Sequence, residues 1–128
     1  MTKEDITKIE NKLGFTLPEH YKKFQLNYPK ELTELEYSCE SISNDADWVI
    51  RTNMMMYLGH VPKSFMSIGE DVGGNYFFIR TDISKESVYY IDHEEASEVE
   101  EGLPWESYFT KEYKDLQELK EKLIANWS

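Results

Sequence analysis

The sequence predicts an α+β fold. We expect one domain over residues 1–128, with N-terminal helices and a C-terminal helix packed on a central, mainly antiparallel sheet. Apolar residues recur at helical spacing near both chain ends, and short apolar runs bounded by turn residues lie between them. Aromatic residues make up 14% of the chain, enough bulk to fill a core without a disulfide or metal staple.

The first predicted helix begins at Thr2, a good N-cap residue, with Asp5 in its first turn. Gly14 is a natural C-terminal stop because glycine adopts the left-handed conformation at little cost. One apolar face follows from the spacing of three residues: Ile6, Ile9 and Leu13.

A second helix is predicted directly after the first. Thr16 is expected to cap it, Pro18 suits its first helical position, and Glu19 can complete a capping box with Thr16. Pro29 prevents continuation. The apolar face again has helical spacing: Tyr21, Phe24 and Tyr28.

Beyond residue 34 the period changes to two. Leu35, Tyr37 and Cys39 alternate with polar residues, which predicts a half-buried strand with an acidic outer face. Residues 44–47 are expected to cap a third helix that runs to about Tyr57. Within that helix, the run Met54-Met55-Met56 is interpreted as filling gaps in the core.

Three strands are predicted next, at residues 65–68, 75–80 and 87–91, paired as an antiparallel meander. Residues 69–74 are predicted to be the turn between the first two. A final helix is expected from about Lys111, with four residues on its apolar side: Leu116, Leu119, Leu123 and Trp127.

The candidate catalytic motifs are weak. The glycine-rich turn at 69–74 lacks a following helix and carries two acids, so a hairpin is favoured over a phosphate loop. Asp92-His93-Glu94 contains metal-ligand residue types without a metal-site spacing, and Cys39 is favoured as a small buried thiol. Pairs of carboxylates are too numerous to single one out. We therefore expect no enzymatic activity, no cofactor and no metal.

The charge balance points away from nucleic acids and membranes. The chain has 25 Asp and Glu against 14 Lys and Arg, a net charge of −11, which repels phosphates and anionic lipids and attracts basic proteins. The single cysteine, the charged N-terminus and the lack of a long apolar stretch predict a cytoplasmic protein without a membrane span.

Two acidic runs, residues 31–50 and 92–106, stand out as a candidate partner-binding surface. An aromatic residue among acids, as at Trp105, suits an interface in which a ring anchors and charges steer. The alternatives are that Trp105 belongs to the core and that the acids only keep the protein soluble. The residues proposed to bind a partner are Glu34, Glu36, Glu40, Asp45, Asp47, Glu94, Glu95, Glu98, Glu100, Glu101 and Trp105.

Two sequence blocks resemble the SUKH superfamily, a domain type also found in fungal regulators of cell-wall synthesis. The first spans Ile9 to Gly14 and Leu17 to Phe24; the second joins Ile68 to Tyr76 with the strand Val88 to Glu94. The motif positions, which the resemblance assigns structural roles, are Gly14, Leu17, Pro18, Tyr21, Phe24, Ile68, Gly69, Gly73, Gly74, Tyr76 and Asp92.

The resemblance implies a function as well as a fold. Bacterial SUKH proteins are typically immunity proteins that bind and neutralise toxin domains, many of them nucleases. We therefore expect a cognate and basic toxin protein as partner, without direct binding to nucleic acid. The alternative is an intracellular regulatory or scaffold module of the same fold that binds an endogenous protein.

Overall fold

The protein is built from helices packed on one antiparallel sheet. The structure is a computed structural model that describes residues 1–33, 41–59, 61–71, 75–82, 85–91 and 111–127. Within these residues the predicted α+β arrangement, with N-terminal helices and a C-terminal helix, is confirmed. The helices are α1 (Lys3–Leu13), α2 (Glu19–Leu26), α3 (Lys30–Thr33), α4 (Ala46–Leu58) and α5 (Leu116–Trp127). The strands are β1 (Ser41–Ile42), β2 (Phe65–Glu70), β3 (Tyr76–Arg80), β4 (Val88–Ile91) and β5 (Lys111–Tyr113).

The sheet has the order β1-β2-β3-β4-β5, and every neighbouring pair is antiparallel. The predicted meander of β2, β3 and β4 is therefore confirmed. The predicted turn at 69–74 is wrong in its first two residues, because Gly69 and Glu70 pair with Phe77 and Tyr76 as part of β2. Residues 72–74 lie outside the described residues.

Helix α1 matches its prediction closely. Thr2 and Asp5 form a reciprocal capping box, in which each side chain accepts a hydrogen bond from the other residue's backbone N–H. Gly14 ends the helix at φ 84°, a conformation that favours glycine.

The predicted start of α2 is wrong. Its N-cap is Pro18, which has an extended conformation and provides no side-chain cap. The connection between the helices is held by Leu17 instead, whose backbone N–H donates to the Glu10 carboxylate at 2.8 Å. This contact joins α2 to α1, and no local pattern around Thr16 indicates it.

The segment after α2 also differs from the prediction. The helix ends at Leu26, and Tyr28 lies beyond it, with its hydroxyl donating to the Ile42 carbonyl. A one-turn helix, α3, follows Pro29 and buries Leu32. The strand predicted at 34–40, including Cys39, lies outside the described residues.

Helix α4 connects β1 to β2 and runs antiparallel to β2. Asp45 caps it, as the sequence predicted, by accepting from the backbone N–H groups of Asp47 and Trp48. Asn53 is fully buried in the middle of α4: its Nδ2 donates to the Val49 and Ser67 carbonyls, and its Oδ1 accepts from the Ser67 N–H. Asn53 therefore joins α4 to the centre of β2.

The prediction that the three methionines fill the core is wrong for two of them. Met54 and Met55 are 49% and 61% exposed. Met56 is partly buried. It packs against a second cluster of buried residues, which includes Phe65 and Phe78 and lies on the face of the sheet opposite the main core.

The C-terminal part of the chain contains a strand, β5, that the sequence did not predict. The helix expected from Lys111 begins at Leu116, where the Asp115 carboxylate accepts from the Glu118 N–H. Residues 111–113 form β5 beside β4. The buried apolar side of the helix is confirmed for Leu116, Leu119 and Leu123, and the Trp127 side chain lies outside the described part.

Both faces of the sheet carry buried residues. Because neighbouring strand residues point to opposite faces, Phe77 and Ile79 enter the main core with the helices while Phe78 faces the other way. The second cluster contains Phe65, Phe78, Tyr89 and Ile91. No helix formed by the described residues is long and apolar enough to cross a membrane.

Candidate functional site

One end of the sheet is defined by a row of residues that lie side by side across four strands. Ser41 pairs with Glu70, Glu70 with Tyr76, and Tyr76 with Ile91. We call this row the acidic end. It spans three strand spacings, roughly 15 Å.

Two segments of the chain meet the sheet at this end. Residues 34–40 lead into Ser41. Residues 92–110 follow Ile91 and lead into Lys111, which pairs with Tyr90, the neighbour of Ile91. We call these two segments the acidic segments. The strand register thus brings their attachment points together although they are far apart in sequence.

The acidic segments carry almost the whole net charge of the protein. They contain 10 of the 25 Asp and Glu residues and none of the 14 Lys and Arg residues. The rest of the chain therefore has 15 acids against 14 bases and is nearly neutral. A potential from such a concentrated charge extends about a Debye length, roughly 8 Å at physiological salt, into solution.

A buried carboxylate organises the described part of the acidic end. Asp71 accepts hydrogen bonds from the backbone and the side-chain amide of Asn75, at 3.0 and 3.1 Å, and from the Tyr90 hydroxyl at 2.6 Å. The Lys111 ammonium lies over the Tyr90 ring, 5.4 Å from its centroid. Tyr90 thus connects Asp71, the residue after β2, to Ile91 and Lys111, the two residues that flank the second acidic segment.

Comparison with known proteins identifies the family. A model of the SMI1 / KNR4 family (SUKH-1) matches residues 1–122. The chain belongs to this family. The resemblance inferred from the two sequence blocks is therefore confirmed over nearly the whole chain. Comparison with curated proteins found no match.

The SUKH-1 motif positions that the structure describes are mainly structural. Leu17 and Tyr21 are buried in the main core, Phe24 packs against it, and Pro18 starts α2. Ile68 and Gly69 belong to β2, and Tyr76 begins β3 at the acidic end. Gly14 ends α1, and the other motif positions, Gly73, Gly74 and Asp92, lie outside the described residues.

Two of the predicted partner-binding residues lie at the start of α4. Asp45 is exposed and caps the helix, and the Asp47 carboxylate pairs with the Lys8 ammonium at 2.6 Å. The hydrogen bond from Lys8 lowers the pKa of Asp47, and the same bond raises the pKa of Lys8. The others lie outside the described residues: Glu34, Glu36, Glu40, Glu94, Glu95, Glu98, Glu100, Glu101 and Trp105. A role of any of these residues in partner binding stays a prediction.

The exposed side of α4 was missed by the sequence analysis. It is made of Asp47, Arg51, Met54, Met55 and Leu58, and we call it the α4 outer face. These residues fall within an arc of about 100° on a helical projection, opposite the buried side of the helix. The signal that indicates this surface is the apolar run at 54–56, because three consecutive helical positions cannot all face one core.

A polar groove lies on another side of the molecule. Two cavities of about 660 and 530 Å³ share His20, Lys23 and Glu86. Both ring nitrogens of His20 are buried and have no hydrogen-bond partner among the residues described. Within that part of the chain no group of three or more His, Cys, Asp or Glu side chains is placed to hold a metal ion. The Asp92-His93-Glu94 alternative falls outside it.

Proposed function

We propose that this protein is a cytoplasmic immunity protein, which binds a basic toxin domain and neutralises it by stoichiometric binding. Membership of the SUKH-1 family is consistent with an immunity-type domain. The toxin is the partner class that the family resemblance implies, and the charge of the protein indicates which surface meets it.

The observation that carries the proposal is the position of the acidic segments. Both join the sheet at the acidic end, and together they have ten carboxylates without one Lys or Arg. An excess of like charge in two short stretches of sequence costs stability, so it is better explained by an external cation than by the fold. A basic protein surface supplies that cation.

A nuclease fits this chemistry well. A nuclease domain needs a basic surface to hold its phosphate substrate, and an acidic protein can compete for the same field. Electrostatic attraction would accelerate the encounter, and apolar or aromatic side chains such as Trp105 would then slow dissociation. Binding alone blocks the toxin, so the proposal requires no catalytic group in the immunity protein.

The test uses a charge-matched pair of variants. In the first, five glutamates of the second acidic segment become glutamine: Glu94, Glu95, Glu98, Glu100 and Glu101. In the control, five exposed glutamates elsewhere become glutamine: Glu4, Glu19, Glu86, Glu112 and Glu121. Both variants change the net charge by the same amount.

The partner in this test is the toxin domain that the proposal expects to be encoded beside the gene for this protein. We expect the first variant to associate about tenfold more slowly at low salt, with a smaller difference at high salt, while the control stays closer to the parent. Stopped-flow association and protection of cells that co-express the toxin measure this. Equal association rates for the two variants would contradict the proposal that the second acidic segment attracts the toxin. A parent protein that neither binds nor protects would contradict the function.

A further inference from the structure

The α4 outer face is the most apolar exposed surface among the described residues. Met54, Met55 and Leu58 are 49%, 61% and 87% exposed. Leu58 follows Met54 by four residues and Met55 by three, so its side chain is next to both on the helix surface. An ordinary surface helix has polar residues at these outward positions.

The buried side of the same helix contains both apolar and polar residues. Val49 and Ile50 enter the main core, whereas Asn53 is fully buried and hydrogen-bonded to β2. The three exposed apolar residues belong to neither buried cluster of the described residues. A cluster of exposed apolar side chains on one helix face indicates a contact surface.

The first half of the α4 outer face is polar. The Asp47 carboxylate pairs with the Lys8 ammonium at 2.6 Å, and the Arg51 Nε donates to the backbone carbonyl of Asp47 at 3.3 Å. Because Asp47 is already paired and Arg51 is a cation, this half attracts a basic partner little. The apolar half of the face therefore suits contact, whereas the acidic segments suit steering.

The path of α4 relates its outer face to the acidic end. Helix α4 starts close to β1, where the Ser43 N–H donates to the Ile68 carbonyl near the acidic end. It ends where the Tyr57 hydroxyl donates to the Phe65 carbonyl, at the other end of β2. A partner attracted to the acidic end therefore meets the N-terminal end of α4 first and the apolar residues further along it.

We propose that the α4 outer face is the apolar contact surface for the same toxin domain, which would present an apolar patch bordered by Lys or Arg. This inference rests on the proposed function. The complementary charge of the acidic end favours a basic partner over a second copy of this acidic chain. Methionine suits such a surface because its flexible thioether adapts to the partner's shape.

The test replaces Leu58 by serine and compares it with the same change at Leu26. Each leucine is the last residue of its helix, and Leu26 is the one other exposed leucine among the described residues, at 42%. We expect Leu58→Ser, alone and with Met55→Ser, to raise the dissociation constant for the toxin domain about 30-fold or more, as hot-spot residues do. Leu26→Ser should leave it within about twofold. Thermal unfolding verifies that each variant is folded.

The possible outcomes separate the two proposals. If the parent and Leu58→Ser bind the toxin domain equally well, the α4 inference is wrong and the proposed function stands. If the parent does not bind the toxin, the proposed function itself fails. Light scattering of the protein alone tests the other occupant: a dimer that Leu58→Ser converts to a monomer would overturn the inference in favour of self-association.

Discussion

The two ends of the sheet use charge in different ways. At the end where β2 begins and β3 finishes, two cationic residues form ion pairs: Arg80 with Asp82 at 2.9 Å and Lys85 with Glu112 at 3.1 Å. The pairing lowers the pKa of Asp82 and raises the pKa of Lys85, each chiefly through the hydrogen bond to its partner. At the acidic end, the attached segments carry ten acids and no base.

Under the proposed function, this difference separates charges that serve the fold from charges that attract a partner. Paired surface charges contribute little to stability, but they leave no net field. An excess of like charge weakens the folded state and extends a field into solution. The proposal therefore predicts that substitutions in the nearly neutral scaffold affect stability, whereas substitutions in the acidic segments affect partner binding.

The scaffold itself is expected to be most sensitive at its centre. The substitution Asn53→Ala removes the hydrogen-bond partners of both the N–H and the C=O group of Ser67. Both groups are then left unsatisfied, because Ser67 is fully buried. Because each unsatisfied group costs about 1–3 kcal/mol, we expect a loss of about 3 kcal/mol in the free energy of unfolding. Urea denaturation measures it. Met54→Ala on the exposed side of the same helix is the control, and an equal loss there would contradict the assignment.

At the acidic end, Asp71 is expected to be the carboxylate that serves the fold. Tyr90→Phe removes the hydroxyl that donates to Asp71 at 2.6 Å while keeping the ring. We expect a loss of about 2 kcal/mol in the free energy of unfolding, as for other hydrogen bonds to charged groups. Thermal and urea unfolding measure this loss.

A double-mutant cycle assigns that loss to the contact. If the hydroxyl acts through the carboxylate, Tyr90→Phe should cost clearly less in an Asp71→Asn background than in the parent. The same cost in both backgrounds would show that the two side chains are not coupled. The distinction between structural and partner-binding acids at this end would then lose its support.

Local signals in the sequence predicted local structure well. The N-cap Thr2 and the cap predicted within residues 44–47 lie close to the helix ends that they stabilise, and the structure confirms both, the second at Asp45. The start of α2 was not, because Glu10 of another helix holds Leu17. Strand β5 has only three residues without an apolar pattern, and its pairing with β4 defines it.

The candidate site was predictable in composition but not in position. The two acidic runs were visible in the sequence, whereas their joint attachment to one end of the sheet depends on the register of four strands. The α4 outer face was missed because an apolar side chain is normally buried, and nothing in the sequence shows on which side a helix lacks a neighbour.

The smallest expected effect is at His20, which lines the polar groove beside the end of the sheet where Arg80 pairs with Asp82. Burial lowers its pKa below the ordinary 6.5, although the Glu86 and Asp115 carboxylates oppose this. Other charged residues that line the groove come from α2, α3, the segment after β3 and α5: Glu19, Lys23, Glu31, Asp82 and Lys120. The neutral ring is therefore favoured in the folded state.

The pKa shift of His20 predicts the sign of a pH dependence. Below pH 6.5 the unfolded chain takes up a proton at this residue more readily than the folded protein does. Its contribution to stability is thus complete above about pH 7.5 and declines as the pH falls through 6.5. The free energy of unfolding, measured between pH 7.5 and 5.5, should vary less in His20→Gln than in the parent, while His93→Gln serves as control. An unchanged profile in His20→Gln would show that the groove does not keep this imidazole neutral.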